Sequence, residues 1–171
     1  MSNHLVIYQG EIPQNTGNMM RTCMASGSKL HLIKPLGFEL DDKHLQRAGM
    51  DYVKQLDFKI YENWDEFLEL NPLAKTNSYF LTRYGEVPPS NFDFSNINTD
   101  YYFVVGKEST GIDKEILKDH LDRCMRLPMV ENARSLNVSN CAAIIIYEAL
   151  RQQNYASLSR EEVIKGKDFL R

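Results

Sequence analysis

Short apolar runs rich in β-branched and aromatic residues recur along the chain, with helical periods between them. Residues 5–9, 30–33, 58–61, 79–81, 101–105 and 125–127 read as strands. Segments starting near Thr16, Asp41, Asn63, Ile112 and Val138 read as helices. Asn15, Asp41 and Asn63 are placed to cap three of them, because a short polar side chain satisfies the first free amides of a helix. Strands alternating with helices predict an α/β fold, a parallel sheet covered on both faces and joined by right-handed crossovers. Residues 85–100 depart from this: Pro88, Pro89, three Asn and two Ser without a period predict an irregular connection. No linker or internal repeat divides the chain, so residues 1–171 are expected to form a single domain.

The last long periodic segment has an apolar stripe made of Val138, Cys141, Ala142, Ile145 and Ala149, the face expected to pack on the sheet. Ala143, Ile146, Tyr147 and Leu150 lie on its other sides. A helix apolar nearly all round must be covered more than once. Two covers are open: a second subunit, which favours a homodimer, or residues 155–170 folding back.

Composition narrows the function classes. The 171 residues are 43% hydrophobic and 25% charged, with a net charge of −3, which fits one ordinary globular domain and excludes disorder, collagen and coiled coil. A nucleic-acid partner would have to be gripped by a local basic patch, since the bulk charge is slightly acidic. Cys23, Cys124 and Cys141 are odd in number and form no C-x-x-C pair, so buried reduced thiols are expected. The N-terminal apolar run is too short and lacks the basic flank of a signal peptide, and no stretch nears the roughly 20 apolar residues of a membrane span. A cytoplasmic protein with no membrane association is expected.

Three loops, each after a predicted strand, could carry chemistry. The first runs from Pro13 to Arg21. Asn15 could cap the following helix while Arg21 projects from its second turn, and a helix N-terminus with a guanidinium nearby favours an anion such as phosphate; a plain capped helix with a surface Arg is the alternative. The second is Gly106-Lys107-Glu108-Ser109-Thr110-Gly111, whose two glycines at the carboxyl end of a strand permit close approach of a ligand. It matches neither a dinucleotide fingerprint nor a Walker A loop. The third, residues 127–140, gives an apolar helix an unusually polar entry through Arg134, Ser135, Asn137, Ser139 and Asn140; one N-cap accounts for a single one of these. The four histidines lack metal-ligand spacing, and no nucleophile elbow or Cys–His pairing is present, so metal and triad chemistry are not expected.

Taken in order, Asn15-Thr16-Gly17-Asn18-x-x-Arg21, Gly106-x-Glu108-x-x-Gly111, and Pro128-Met129 followed by Arg134-Ser135-Leu136-Asn137-Val138-Ser139-Asn140 resemble the three motifs of the SPOUT superfamily of RNA methyltransferases. The resemblance covers nearly the whole chain. The short length, the segment Arg47-Ala48-Gly49-Met50-Asp51-Tyr52, and the end Tyr147-Glu148-Ala149-x-Arg151-Gln152 are most similar to the single-domain members that 2′-O-methylate the wobble nucleotide of tRNA. This implies a Rossmann-like α/β domain whose C-terminal third forms a trefoil knot, S-adenosyl-L-methionine as cofactor, and a homodimer whose active site takes residues from both copies. By position it implies cofactor contacts near Leu81, Gly106, Leu127, Met129, Ser135 and Leu136. It likewise implies a catalytic Arg21 supported by Asn15, Glu108, Ser135 and Asn137. Lys107 and Ser109 beside the motif-two Glu, and Val138 where Leu is common, leave the chemistry intact and bear on which RNA is chosen.

In-line transfer from a sulfonium to a ribose 2′-hydroxyl needs alignment and help for the departing proton, but no metal. A neutral guanidine is costly, so the role expected of Arg21 is holding a phosphate and the developing alkoxide, with the base unassigned. Lys43, Arg47, Arg134 and Arg151, with Lys54, are candidates for gripping the anticodon stem-loop; Lys43 and Arg47 would share a helix face. Two alternatives stay open: a 2′-O-methyltransferase for rRNA or another tRNA position, and a non-catalytic RNA-binding module.

Overall fold

The computed structural model of the chain describes residues 2–40, 43 and 53–170. Six parallel strands form one sheet in the order β3-β2-β1-β5-β4-β6, with β1 Asn3–Tyr8, β2 Lys29–Ile33, β3 Phe58–Tyr61, β4 Ser78–Leu81, β5 Tyr101–Val105 and β6 Cys124–Met125. The fold is α/β, as the alternation of periods predicts. Helices α1 Pro13–Ser26, α2 Trp64–Leu70, α3 Ala74–Asn77, α4 Lys114–Leu117 and α5 Val138–Gln152 connect or cover the strands. The expected helix at Asp41, with its cap, falls mostly outside the described residues; Lys43 is exposed.

One face of the sheet carries α1 and α5, whose Met19, Met20, Cys23, Ala142, Ile145, Ile146 and Ala149 are buried with Leu5, Ile7, Leu32 and Phe103. Burial of each of the Met, Leu, Ile and Phe side chains among them is worth roughly 1.5–3 kcal/mol, so this face is a large source of stability. Residues 85–100 are irregular yet supply Phe94 to the same core. The cover of α5 is now divided. Tyr155 and Leu158 pack against the core, whereas Ile144 and Tyr147 stay 46% and 42% exposed.

The opposite face holds a buried polar chain. Asn71 Nδ2 donates to the Tyr61 hydroxyl (3.1 Å), which lies 2.8 Å from His31 Nδ1, and His31 Nε2 lies 2.8 Å from His4 Nδ1. Since Tyr61 accepts from Asn71, its proton is directed to His31; His31 then donates through Nε2 and His4 keeps its proton on Nε2, 3.6 Å from Asp100. Both rings are neutral: burial lowers the pKa of His4, and burial together with the neighbouring His4 pushes His31 down to about 3.

Strand β6 ends two residues before the expectation. Met125 pairs with Leu81 of β4 on one side and with Val87 on the other: Thr82 N donates to Met125 O (3.0 Å) and Arg126 N donates to Val87 O (2.9 Å). Residues 82–87 therefore wrap around residues 125–126. Gly85 sits at the turn, where a Cβ would come within 2.4 Å of the Met125 carbonyl carbon, so no larger residue fits.

Candidate active site

Parallel strands bring the carboxyl ends of β1, β4, β5 and β6 to one edge, where the loops that follow them meet around a cavity of about 620 Å³. That volume falls in the range of small-molecule sites, roughly 300–1,000 Å³. Its lining includes Leu81, Gly106, Leu127, Met129, Ser135 and Leu136, all six positions expected for the cofactor, together with Asn15, Glu108, Asn137 and Arg134. Leu81, Leu127, Met129 and Val138 offer a half-buried apolar wall beside the amide of Asn137 and the hydroxyl of Ser135.

The start of α1 corrects the sequence expectation. The helix begins at Pro13, whose ring presets φ for the first helical position, with Ile12 in the cap position and no side-chain cap, because an isoleucine side chain has no acceptor to offer the first amides. Asn15 is buried inside the helix instead. The free amides ahead of the helix are met from afar: Glu11 N and Ile12 N donate to the two carboxylate oxygens of Glu108 at 2.9 and 3.3 Å. The anion expected at this helix N-terminus is thus the protein's own carboxylate.

Asn15 Nδ2 also donates to Glu108 (3.1 Å), and its oxygen accepts from Asn137 Nδ2 at 2.9 Å. The Asn137 oxygen in turn caps α5, accepting from Ser139 N and Asn140 N at 2.9 and 3.4 Å. One continuous network therefore ties the three loops together. Glu108 is presented by a tight turn in which Gly111 N donates to Lys107 O (2.9 Å) and Gly111 has φ +74°. A Cβ on Gly106 would lie 2.4 Å from the Gly111 carbonyl carbon, so the close approach these glycines permit is that of the loop to itself.

Other expected residues stand apart. Arg21 is exposed further along α1 and does not line the cavity. Arg151 makes two 2.9 Å bonds to Glu148, which hold that carboxyl below the usual range. Arg47 lies outside the described residues, and Lys43 and Lys54 are exposed. Sequence reasoning missed Thr82, Arg83, Tyr84 and Arg126 in the cavity wall. The available signal was the same one used for the other loops, a glycine turn directly after a strand, here Thr82-Arg83-Tyr84-Gly85.

Comparison with known proteins agrees with this geometry. A family model described as "SpoU rRNA Methylase family" matches residues 2–147. A Bacillus subtilis protein, provisionally named tRNA (cytidine(34)-2′-O)-methyltransferase, is 49% identical over 155 residues, which cover 91% of this chain and 96% of the relative. The tRNA (cytidine(34)-2′-O)-methyltransferase of Methylovorus glucosotrophus is 43% identical over 153 residues, 89% of this chain and 96% of the relative. A solved structure described as "Structural insights into the 2-OH methylation of C/U34 on tRNA" is similar with a TM-score of 0.79 at 36% identity, covering 90% of this chain and 97% of that one.

Proposed function

The chain belongs to the SpoU rRNA Methylase family, and from that premise we propose that it methylates the ribose 2′-oxygen of the wobble nucleotide, cytidine or uridine 34, in tRNA anticodon loops. The observation that carries this is the meeting of three separate loops at one cavity through the Glu108–Asn15–Asn137 network. Relatives named for tRNA position 34 match this chain over nearly their whole length, which favours tRNA over the rRNA of the family's description.

S-adenosyl-L-methionine, the methyl donor, supplies a methyl group on a positively charged sulfur. Leu81, Gly106, Leu127, Met129, Ser135 and Leu136 would hold it, and the mixed apolar and amide character of that wall suits a nucleoside joined to an amino acid. Glu108, Asn15 and Asn137 act by positioning, since each side chain is engaged in fixing the loops to α1 and α5. Arg21 anchors an RNA phosphate and stabilises negative charge on the 2′-oxygen.

Arg21 serves the cavity of a second copy. Its exposed position away from its own cavity and the uncovered Ile144 and Tyr147 on α5 support a homodimer in which the two helices meet their counterparts. Passage of Met125 between Leu81 and Val87 supports the family's trefoil knot. Among the described residues no helix is long and apolar enough to cross a membrane and no cluster of three metal-binding side chains occurs. The tRNA for which its relatives are named supports work in the cytoplasm.

Mass mapping of tRNA and rRNA from cells lacking the gene tests the substrate. Loss of 2′-O-methylation at tRNA position 34 is expected; an intact position 34 with a methyl group missing from rRNA would overturn the tRNA reading. Arg21→Ala is expected to abolish transfer while leaving cofactor affinity, measured by calorimetry, near wild type.

A further inference from the structure

Tyr84 is a large aromatic side chain left 76% exposed while lining the same cavity as the cofactor positions. It is not on a loose loop. Thr82 N is bonded to Met125, Gly85 N to Thr82 O (3.2 Å) and Tyr84 N to Thr82 Oγ1 (3.3 Å), and Gly85 lies flush against the Met125 backbone. Arg126 ties the turn again through a bond to Arg83 O (3.4 Å). The turn thus presents a ring with two rotatable bonds on a fixed base.

The surroundings select what that ring meets. The cavity wall carries Arg83, Lys107, Arg126 and Arg134 against a single carboxylate, Glu108, and that carboxylate is engaged at the start of α1. In a chain of net charge −3 this is a local concentration of positive charge. Among the described residues none of the three arginines is ion-paired to an acid. A flat exposed ring in one wall with guanidinium groups that have no acid partner is the arrangement that holds single-stranded nucleic acid, the ring against a base and the cations against phosphates.

We propose that Tyr84 is a substrate-binding residue whose ring stacks on an unpaired base of the RNA next to the reacting ribose, with Arg83 and Arg126 on the adjoining phosphates. This rests on the methyltransferase reading above. Tyr84→Ala should raise the KM for an anticodon stem-loop roughly 5- to 150-fold, the range of one lost base–aromatic stack. The KM for S-adenosyl-L-methionine and the thermal midpoint should stay at wild-type values. Tyr84→Phe should restore RNA affinity and Tyr84→Leu should not, because the flat face and not the hydroxyl or the bulk is what acts.

Anticodon stem-loops with an abasic site at each loop position in turn locate the base. The gap between wild type and Tyr84→Ala should close at one position only. An unchanged RNA KM in Tyr84→Ala, a gap indifferent to every abasic site, or a raised cofactor KM would each overturn the proposal. Binding of the labelled stem-loop by fluorescence anisotropy separates this from the parent reading: wild type that binds with the Tyr84 dependence but transfers no methyl group sinks the reaction and leaves the stack standing.

Discussion

Glu108 accepts three hydrogen bonds, from Glu11 N, Ile12 N and Asn15 Nδ2, and so one half-buried carboxylate fixes the start of α1. Glu108→Gln leaves one acceptor oxygen and turns an amide toward donors. It should cost about 1–3 kcal/mol in urea unfolding, the worth of charge-assisted bonds of which one, to Asn15, is to a buried partner. An unchanged midpoint would mean water replaces the carboxylate. His31 makes a second prediction at this scale. Its pKa is about 3 in the folded chain against 6.5 in the unfolded chain, so the unfolded state binds the extra proton. Stability is then full above about pH 6.5 and lost as pH falls toward 3, with a slope approaching ~1.4 kcal/mol per pH unit from this one ring. Urea melts between pH 7 and 5, above the range of ordinary carboxylates, read this directly; a flat profile there would refute the neutral His4–His31 pair.

At the scale of elements, strands and the long helix were legible because their signals are local. Periods of apolar residues located all six strands to within a few residues, and the stripe on α5 predicted its buried face at Cys141, Ala142, Ile145 and Ala149. Ile145→Ala should therefore cost about 2–5 kcal/mol by thermal or chemical unfolding. What sequence did not disclose depends on distance. Glu108 caps a helix from 97 residues away, whereas the start at Pro13 was signalled locally by the proline itself, a competing signal to the Asn15 cap. The six cofactor positions were readable through the resemblance of three loops to a family's motifs, whereas Tyr84 belongs to no such motif and its glycine turn shows its use once the turn after β4 is seen facing the cavity.

At the scale of the molecule, the acidic net charge and the basic cavity wall are compatible because one is a sum and the other a placement. RNA affinity should fall steeply with salt, and Arg126→Gln should lower the magnitude of the slope of log K against log salt by about 1, read by anisotropy titrations. An unchanged slope would return Arg126 to a structural role.

The two sides of the slot between Leu81 and Val87 come early in the chain and Met125, which fills it, comes late. A ribosome delivers residues 82–87 well before 124–126 exist, so the bonds from Thr82 N to Met125 O and from Arg126 N to Val87 O close only when residues 125 and 126 arrive. The cavity wall at Leu127 and Met129, and with it the polar entry to α5, is delivered only after that slot can be occupied. A chain stopped between residues 105 and 124 accordingly ends with five of the six strands and without the part of the cavity wall that residues 126–141 supply.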